Sequence, residues 1–88
     1  MEQRSARRIA YTETIHIELP DGTLVRAFAR DLSRTGIAFL TTANLPLDAV
    51  SLTLPQESDD SPLVLRARVV RCSRLTDGFY EAAAAFCA

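Results

Sequence analysis

The amino-acid sequence predicts an all-β protein, a small six-stranded antiparallel β-barrel with a mobile N-terminal arm. Apolar and polar residues alternate with a period of two from Tyr11 onward, which is typical of strands with one buried face. Turn-forming sequences separate these stretches at short intervals, and 88 residues are enough for one small hydrophobic core. We therefore expect the arm at residues 1–10 and one barrel domain at residues 11–88.

The first three predicted strands lie around a Pro-Asp-Gly turn at residues 20–22. Before the turn, Ile15 and Ile17 alternate with polar residues, which indicates a half-buried strand. After the turn, residues 24–30 alternate small apolar side chains with arginines and form the second strand. The third strand is predicted at residues 37–41, after the stretch DLSRTG.

The last three predicted strands surround an acidic segment at residues 56–62, which we expect to be a flexible loop. Alternating apolar residues in VSLTL predict the fourth strand before it. The fifth strand, residues 63–74, changes the parity of its apolar positions at Val69 and Val70, which predicts a β-bulge. Residues 79–86 follow a Thr-Asp-Gly turn and are predicted as the sixth strand, although their alanines favour a helix.

Composition and charge narrow the classes of function. The formal net charge is −1, all ten basic residues are arginines, and there are six aromatic residues. A barrel that binds nucleic-acid polymers would need a basic surface with stacking aromatic side chains, so we do not expect such a partner. No apolar stretch is long enough to span a membrane, and no hydrophobic signal region follows Met1. We therefore expect a cytoplasmic protein without membrane insertion.

The sequence contains no pattern of catalytic or metal-binding residues, so we do not expect an enzyme, a cofactor or a metal site. The single histidine, His16, lies on the exposed face of the first predicted strand. Cys72 and Cys87 lie on the two strands of the last predicted hairpin, offset by about 16 Å along the strands. This distance is too long for a disulfide, so both thiols are expected to be reduced.

Two short motifs carry the functional signal. Arg4 and Arg8 are four residues apart, so their side chains share a face whether the segment is helical or extended. The second motif, DLSRTG at residues 31–36, is longer than a tight turn requires. A purely structural interpretation is that Asp31 and Ser33 cap backbone N–H groups and that the glycine adopts a positive φ.

Together with the hairpin between them and the barrel pattern around them, the two motifs resemble the PilZ domain, a bacterial receptor module for cyclic di-GMP. The hallmarks of that family are RxxxR, here RSARR at residues 4–8, and a following [D/N]xSxxG, here DLSRTG. The resemblance continues through IAFLT, VSLTLP, LRARVVRC and YEAAAAF and covers essentially the whole chain. The sequence departs from the family pattern at Asp48 and Ala83, where glycine is frequent.

The end of the chain is a further departure. It stops at Ala88 without the C-terminal helix that many PilZ domains pack on the mouth of the barrel. We expect one end of the barrel to be open, or covered by a partner or a second copy. The chain being a fragment of a longer protein is the alternative.

The resemblance implies that the chain binds cyclic di-GMP, and it marks these ligand-binding residues: Arg4, Arg8, Asp31, Ser33 and Gly36, with Arg7, Arg30 and Arg34 as supplementary candidates. The two motif arginines would bind guanine edges and phosphates, because a guanidinium donates bidentate hydrogen bonds to both. The aspartate would accept from guanine N–H groups and the serine would provide an adaptable hydrogen bond. The glycine would let the backbone approach the ligand.

The implied mechanism is a switch in which the ligand orders the N-terminal arm against the barrel and the change is relayed to a downstream effector protein. Two other functions remain open at this point. One is a PilZ-like adaptor that contacts proteins without binding the nucleotide, and the intact motifs argue against it. The other is a small nucleic-acid-binding barrel, and the net charge argues against it. A homodimer, and one ligand or a stacked pair for each site, also remain open.

Overall fold

A computed structural model describes residues 7–55 and 61–87 of the chain. Seven antiparallel strands form one sheet in the order β1-β3-β2-β5-β6-β7-β4, and a further pairing of β3 with β4 closes it into a barrel. The strands are β1 Ile9–Ala10, β2 Thr14–Glu18, β3 Leu24–Leu32, β4 Gly36–Thr41, β5 Ala49–Leu54, β6 Leu63–Arg74 and β7 Tyr80–Phe86. The described residues contain no helix that could span a membrane.

The predicted fold class is confirmed, and the six predicted strands correspond to β2 through β7. The structure adds β1 at the end of the predicted arm. Ile9 lies opposite Leu32 and Ala10 lies opposite Asp31, so the arm joins the barrel as a short strand on the edge of β3. Residues 1–6, which include Arg4, lie outside the described residues, as do residues 56–60 of the predicted flexible loop.

The barrel interior holds the apolar side chains of the alternating pattern. The largest of those that are fully buried are Phe39, Ile15, Ile17, Ile37, Leu52 and Val69. Burial of one such side chain contributes about 1.5–3 kcal/mol of transfer free energy, so this small core supplies most of the stability. Alanines at the buried positions of β3, β6 and β7 keep the interior narrow enough for the large side chains to fill it.

Two β-bulges shape the barrel. The register of β6 against β7 shifts between Val69 and Arg71, and the extra residue, Val70, is 54% exposed. This confirms the bulge that the parity change predicts. A second shift, which the predicted strand pattern did not include, occurs on β3 between Ala29 and Asp31, opposite β4. Its extra residue is Arg30.

The two predicted Gly-containing turns are confirmed. Gly22 and Gly78 adopt φ values of 89° and 81°, in the left-handed region that glycine enters without strain. In the first of these turns, the N–H of Thr23 donates to Oδ1 of Asp21, and this hydrogen bond lowers the pKa of that carboxyl. Both cysteines are free thiols, as expected, with Cys72 opposite Ala82 on β7.

Candidate functional site

The bulge on β3 determines which side chains reach the outer surface of the barrel. Ala29 faces the interior and lies opposite the buried Phe39, whereas Asp31 lies opposite Ala38 on the next position of β4. Because Arg30 is the extra residue, two consecutive side chains, Arg30 and Asp31, point outward. The chain then returns to alternation, and Leu32 packs against the core. The bulge thus places a cation and an anion side by side on the outer surface.

Strand β1 brings Arg8 to this pair of residues. Its pairing sets Ala10 opposite Asp31, and alternation directs the side chain of Arg8 to the same face. The Nε and Nη2 atoms of Arg8 both contact Oδ1 of Asp31 at 2.7 Å. The pair is more than a third exposed on each side. The structure therefore joins one residue of the RxxxR motif to one residue of the DxSxxG motif.

The geometry of this ion pair leaves hydrogen-bonding groups for a third molecule. Asp31 contacts one edge of the guanidinium, the edge formed by Nε and Nη2. The other edge, formed by Nη1 and Nη2, carries N–H donors that match the O6 and N7 acceptors of guanine or two phosphate oxygens. Both of these contacts are to Oδ1 of Asp31, and the other carboxylate oxygen is Oδ2. It is an acceptor for N–H donors such as those of guanine.

Ser33 organises the loop between β3 and β4. Its backbone N–H donates to the carbonyl of Gly36 at 2.9 Å, and its Oγ accepts from the N–H groups of Thr35 and Gly36, both at 3.2 Å. The side chain is buried, and the carbonyl of Thr35 accepts from the N–H of Phe86 at the end of β7. The predicted capping of N–H groups is therefore confirmed for Ser33. The Asp31 carboxylate pairs with Arg8.

Gly36 does not adopt the left-handed conformation of the purely structural interpretation, because its φ is not positive. Instead, a Cβ at Gly36 would lie 2.6 Å from the carbonyl oxygen of Ala84. Glycine is required here because β4 and β7 approach closely at this point, and the sequence pattern of a single turn cannot reveal a contact with a distant strand.

Arg30 makes a second ion pair on the outer surface. Its Nη1 donates to Oε2 of Glu81 at 2.8 Å, so the pair crosses β4 from β3 to β7. The backbone at the bulge is also held, because the carbonyl of Arg30 accepts from the N–H of Tyr11 at 3.0 Å. Burial raises the pKa of the Tyr11 phenol, and the nearby Glu13 carboxylate raises it further. No motif in the sequence marks Glu81 as a site residue.

The remaining predicted arginines lie around a shallow groove. Arg7 and Arg34 line it together with Ile9, Leu32 and Ser33, and its volume is about 360 Å³. Ile9 and Leu32 lie opposite each other in register, on the other face of the β1–β3 pair from Asp31. Apart from Gly36, the described candidates thus lie in two groups at one end of the barrel. Arg8, Arg30 and Asp31 form one group, and Arg7, Ser33 and Arg34 form the other.

The two positions that depart from the resemblance fit their strands. The Asp48 side chain accepts from the N–H of Ala49 at 2.7 Å, and its carbonyl accepts from the N–H of Val69. Ala83 lies between Ala38 and Arg71 in register. Neither departure disturbs the pairing of the strands that carry the motif residues.

A match to a family profile shows to which protein family the chain belongs. The profile of the PilZ domain matches residues 2–86. The chain belongs to the PilZ domain family. A search of curated proteins finds no match to the sequence.

Solved structures agree with the fold of a PilZ domain. The Bacillus subtilis inhibitor of motility, MotI/DgrA, matches with a TM-score of 0.74 and 17% identity. That match covers 100% of this chain and 44% of the other, so the chain spans less than half of that protein. The PilZ domain of YcgR from Escherichia coli, in a structure with c-di-GMP, matches with a TM-score of 0.70 and 18% identity. This second match covers 97% of this chain and 78% of the other. At these identities the likeness shows the fold alone.

Proposed function

We propose that this PilZ domain is a cytoplasmic receptor that binds cyclic di-GMP, with Arg8 and Asp31 at the centre of the site. The observation that carries the proposal is their ion pair, because it joins the two sequence motifs at one place on the barrel. The Nη1/Nη2 edge of the Arg8 guanidinium and Oδ2 of Asp31 then offer donors and an acceptor side by side. Guanine presents the complementary groups on its edges, and the phosphates of the ligand are further acceptors for arginine.

The surface next to this pair suits a planar ligand. Ala10 and Ala38 flank Asp31 in register on β1 and β4, and Ala83 continues the row on β7. Ala10 is exposed and Ala83 is half-buried, so these two positions carry no large side chain in front of a purine ring, whereas Ala38 is only 7% exposed. We propose that one guanine is held there by Asp31 and Arg8. Ser33 and Gly36 would contribute by fixing the loop that carries the motif, and Gly36 also by close backbone approach.

The N-terminal arm is proposed to supply the remaining contacts. Arg4 lies outside the described residues, and it precedes Arg8 by one motif spacing. Ligand phosphates would draw Arg4 to the barrel surface, with Arg7, Arg30 and Arg34 as supplementary contacts. Ordering of the part of the arm that precedes β1 would then report ligand binding to an effector protein. The conformational entropy lost by the arm would lower the net affinity.

Titration of the 88-residue protein with cyclic di-GMP, GTP and single-stranded DNA tests this proposal. Saturable binding of cyclic di-GMP, with GTP and DNA much weaker, is the expected result. Hydrogen exchange on the same samples should show greater protection of amides in residues 1–8 when cyclic di-GMP is present. An Arg4→Ala variant should lose that protection.

Two outcomes of the titration would overturn the proposal, and one outcome of the exchange experiment would overturn its relay. Absence of binding to all three compounds would favour a PilZ-like adaptor that works through protein contacts. Preference for DNA would favour a nucleic-acid-binding barrel. Binding of cyclic di-GMP with unchanged exchange in the arm would overturn the proposed relay while retaining the receptor.

A further inference from the structure

The ion pair between Arg30 and Glu81 lies directly beside the proposed ligand site. Arg30 adjoins Asp31 in sequence, and the bulge directs both side chains to the outer surface. The guanidinium reaches across β4 and its Nη1 lies 2.8 Å from Oε2 of Glu81. The Arg30 side chain is 52% exposed and that of Glu81 is 31% exposed. A cation next to the site is thus held by an anion on a neighbouring strand.

The neighbours of Glu81 contain no other cation in register. Glu81 lies opposite Leu40 on β4 and opposite Ser73 on β6, and both of these residues are uncharged. The backbone of Arg30 is fixed separately, by the hydrogen bond from Tyr11 and by the pairing of β3 on either side of the bulge. Loss of the Glu81 carboxylate would therefore release the Arg30 side chain while its backbone stays in place.

We propose that Glu81 sets the affinity of the site by competing with the phosphates of the ligand for Arg30. This inference rests on the proposed function. Cyclic di-GMP carries two phosphate charges, and an arginine beside Asp31 is a suitable partner for one of them. While Arg30 pairs with Glu81, its interaction with a phosphate is weakened and the nearby carboxylate repels the anionic ligand. An exposed ion pair is weak enough for a phosphate to compete with it.

The substitution Glu81→Gln tests this inference because it keeps the size of the side chain and removes its charge. We expect it to tighten cyclic di-GMP binding about two- to fivefold in calorimetry, the range that a single exposed ion pair accounts for. The gain should shrink at high salt, because exposed charges are screened. In the double variant Glu81→Gln/Arg30→Gln, the gain should disappear.

A matched control separates a local effect from the general loss of one negative charge. Glu18→Gln makes the same chemical change at an exposed position at the end of β2, where β2 runs into the turn at the other end of the barrel from the motif loop. We expect this variant to bind cyclic di-GMP with the affinity of the wild type. An equal gain in Glu18→Gln and Glu81→Gln would overturn the inference, since the effect would then come from net charge.

The remaining outcomes separate failure of this inference from failure of the proposed function. If the wild type binds and Glu81→Gln binds equally or more weakly, Glu81 does not compete for Arg30 and the inference alone fails. If binding is also tighter in the double variant Glu81→Gln/Arg30→Gln, the effect of Glu81 does not act through the Arg30 side chain, and the inference again fails. If neither the wild type nor Glu81→Gln binds cyclic di-GMP, the proposed function fails and the inference fails with it.

Discussion

Arg8 and Asp31 are 23 residues apart in sequence and form an ion pair in which two guanidinium nitrogens lie 2.7 Å from one carboxylate oxygen. Both side chains are more than a third exposed, so water and salt screen their attraction. The pair is therefore a weak source of stability and, by its position, the centre of the proposed ligand site.

The first prediction follows from this exposure. Arg8→Ala and Asp31→Asn should each change the free energy of unfolding by less than about 1 kcal/mol, because exposed ion pairs contribute little. Urea denaturation followed by circular dichroism measures this. A loss of several kcal/mol in either variant would show that the pair holds β1 and the barrel together, and binding defects of these variants could then not be assigned to the site.

Gly36→Ala should destabilise the barrel by about 1–3 kcal/mol, the usual cost of inserting a methyl group into a closely packed place. The added Cβ would lie 2.6 Å from the carbonyl oxygen of Ala84, so β4 and β7 would have to separate. Denaturation experiments measure the effect. Ala85→Ser, at the exposed position opposite Gly36 in register, is the control and should stay within about 0.5 kcal/mol of the wild type. Equal effects of the two substitutions would contradict the packing role of Gly36.

Ser33→Ala should destabilise the protein by about 1–3 kcal/mol, the cost of leaving buried polar groups without a partner. The hydroxyl accepts from two backbone N–H groups in the loop between β3 and β4, and the alanine removes that acceptor. Thermal or urea unfolding measures the loss. Ser73→Ala, on an exposed position of β6, should be nearly neutral. If Ser33→Ala unfolds like the wild type, the loop does not depend on this hydroxyl.

Tyr11 makes stability depend on alkaline pH. Burial and the Glu13 carboxylate raise the pKa of its phenol above the ordinary value of 10.0, so the folded state favours the neutral form. The stabilisation by Tyr11 is fully present below the pKa of the unfolded chain and is lost as the pH rises through the pKa of the folded state. Above about pH 10 the wild type should thus lose stability more steeply than Tyr11→Phe. Parallel stability profiles in urea denaturation between pH 8 and 11 would contradict this.

Alternation of apolar residues allowed the barrel to be predicted from sequence, because each strand buries one face. The same signal predicted the bulge near Val70, where the apolar positions change parity. A corresponding change occurs between Ala29 and Leu32, beyond the predicted end of the second strand at residue 30. The bulge at Arg30 could therefore have been found by extending that strand through the motif.

Contacts between distant strands explain what the sequence could not show. The role of Gly36 depends on how closely β4 approaches Ala84 on β7, and no local pattern encodes that distance. Likewise, Glu81 meets Arg30 because the register of three strands brings them together. The motifs indicated that Arg8 and Asp31 belong to one site, whereas the ion pair itself required the pairing of β1 with β3.

Calorimetric titration of cyclic di-GMP into the wild type, Arg8→Ala and Arg26→Ala tests whether Arg8 belongs to the ligand site. Arg26 is an exposed arginine of β3 in register with His16, away from the motif loop, and it controls for the loss of one positive charge. We expect Arg26→Ala to bind nearly as the wild type does. We expect Arg8→Ala to lose at least about tenfold in affinity, the value of one charged hydrogen-bonding interaction, while its circular dichroism spectrum is unchanged. Wild-type affinity in Arg8→Ala would contradict the assignment of Arg8 to the ligand site.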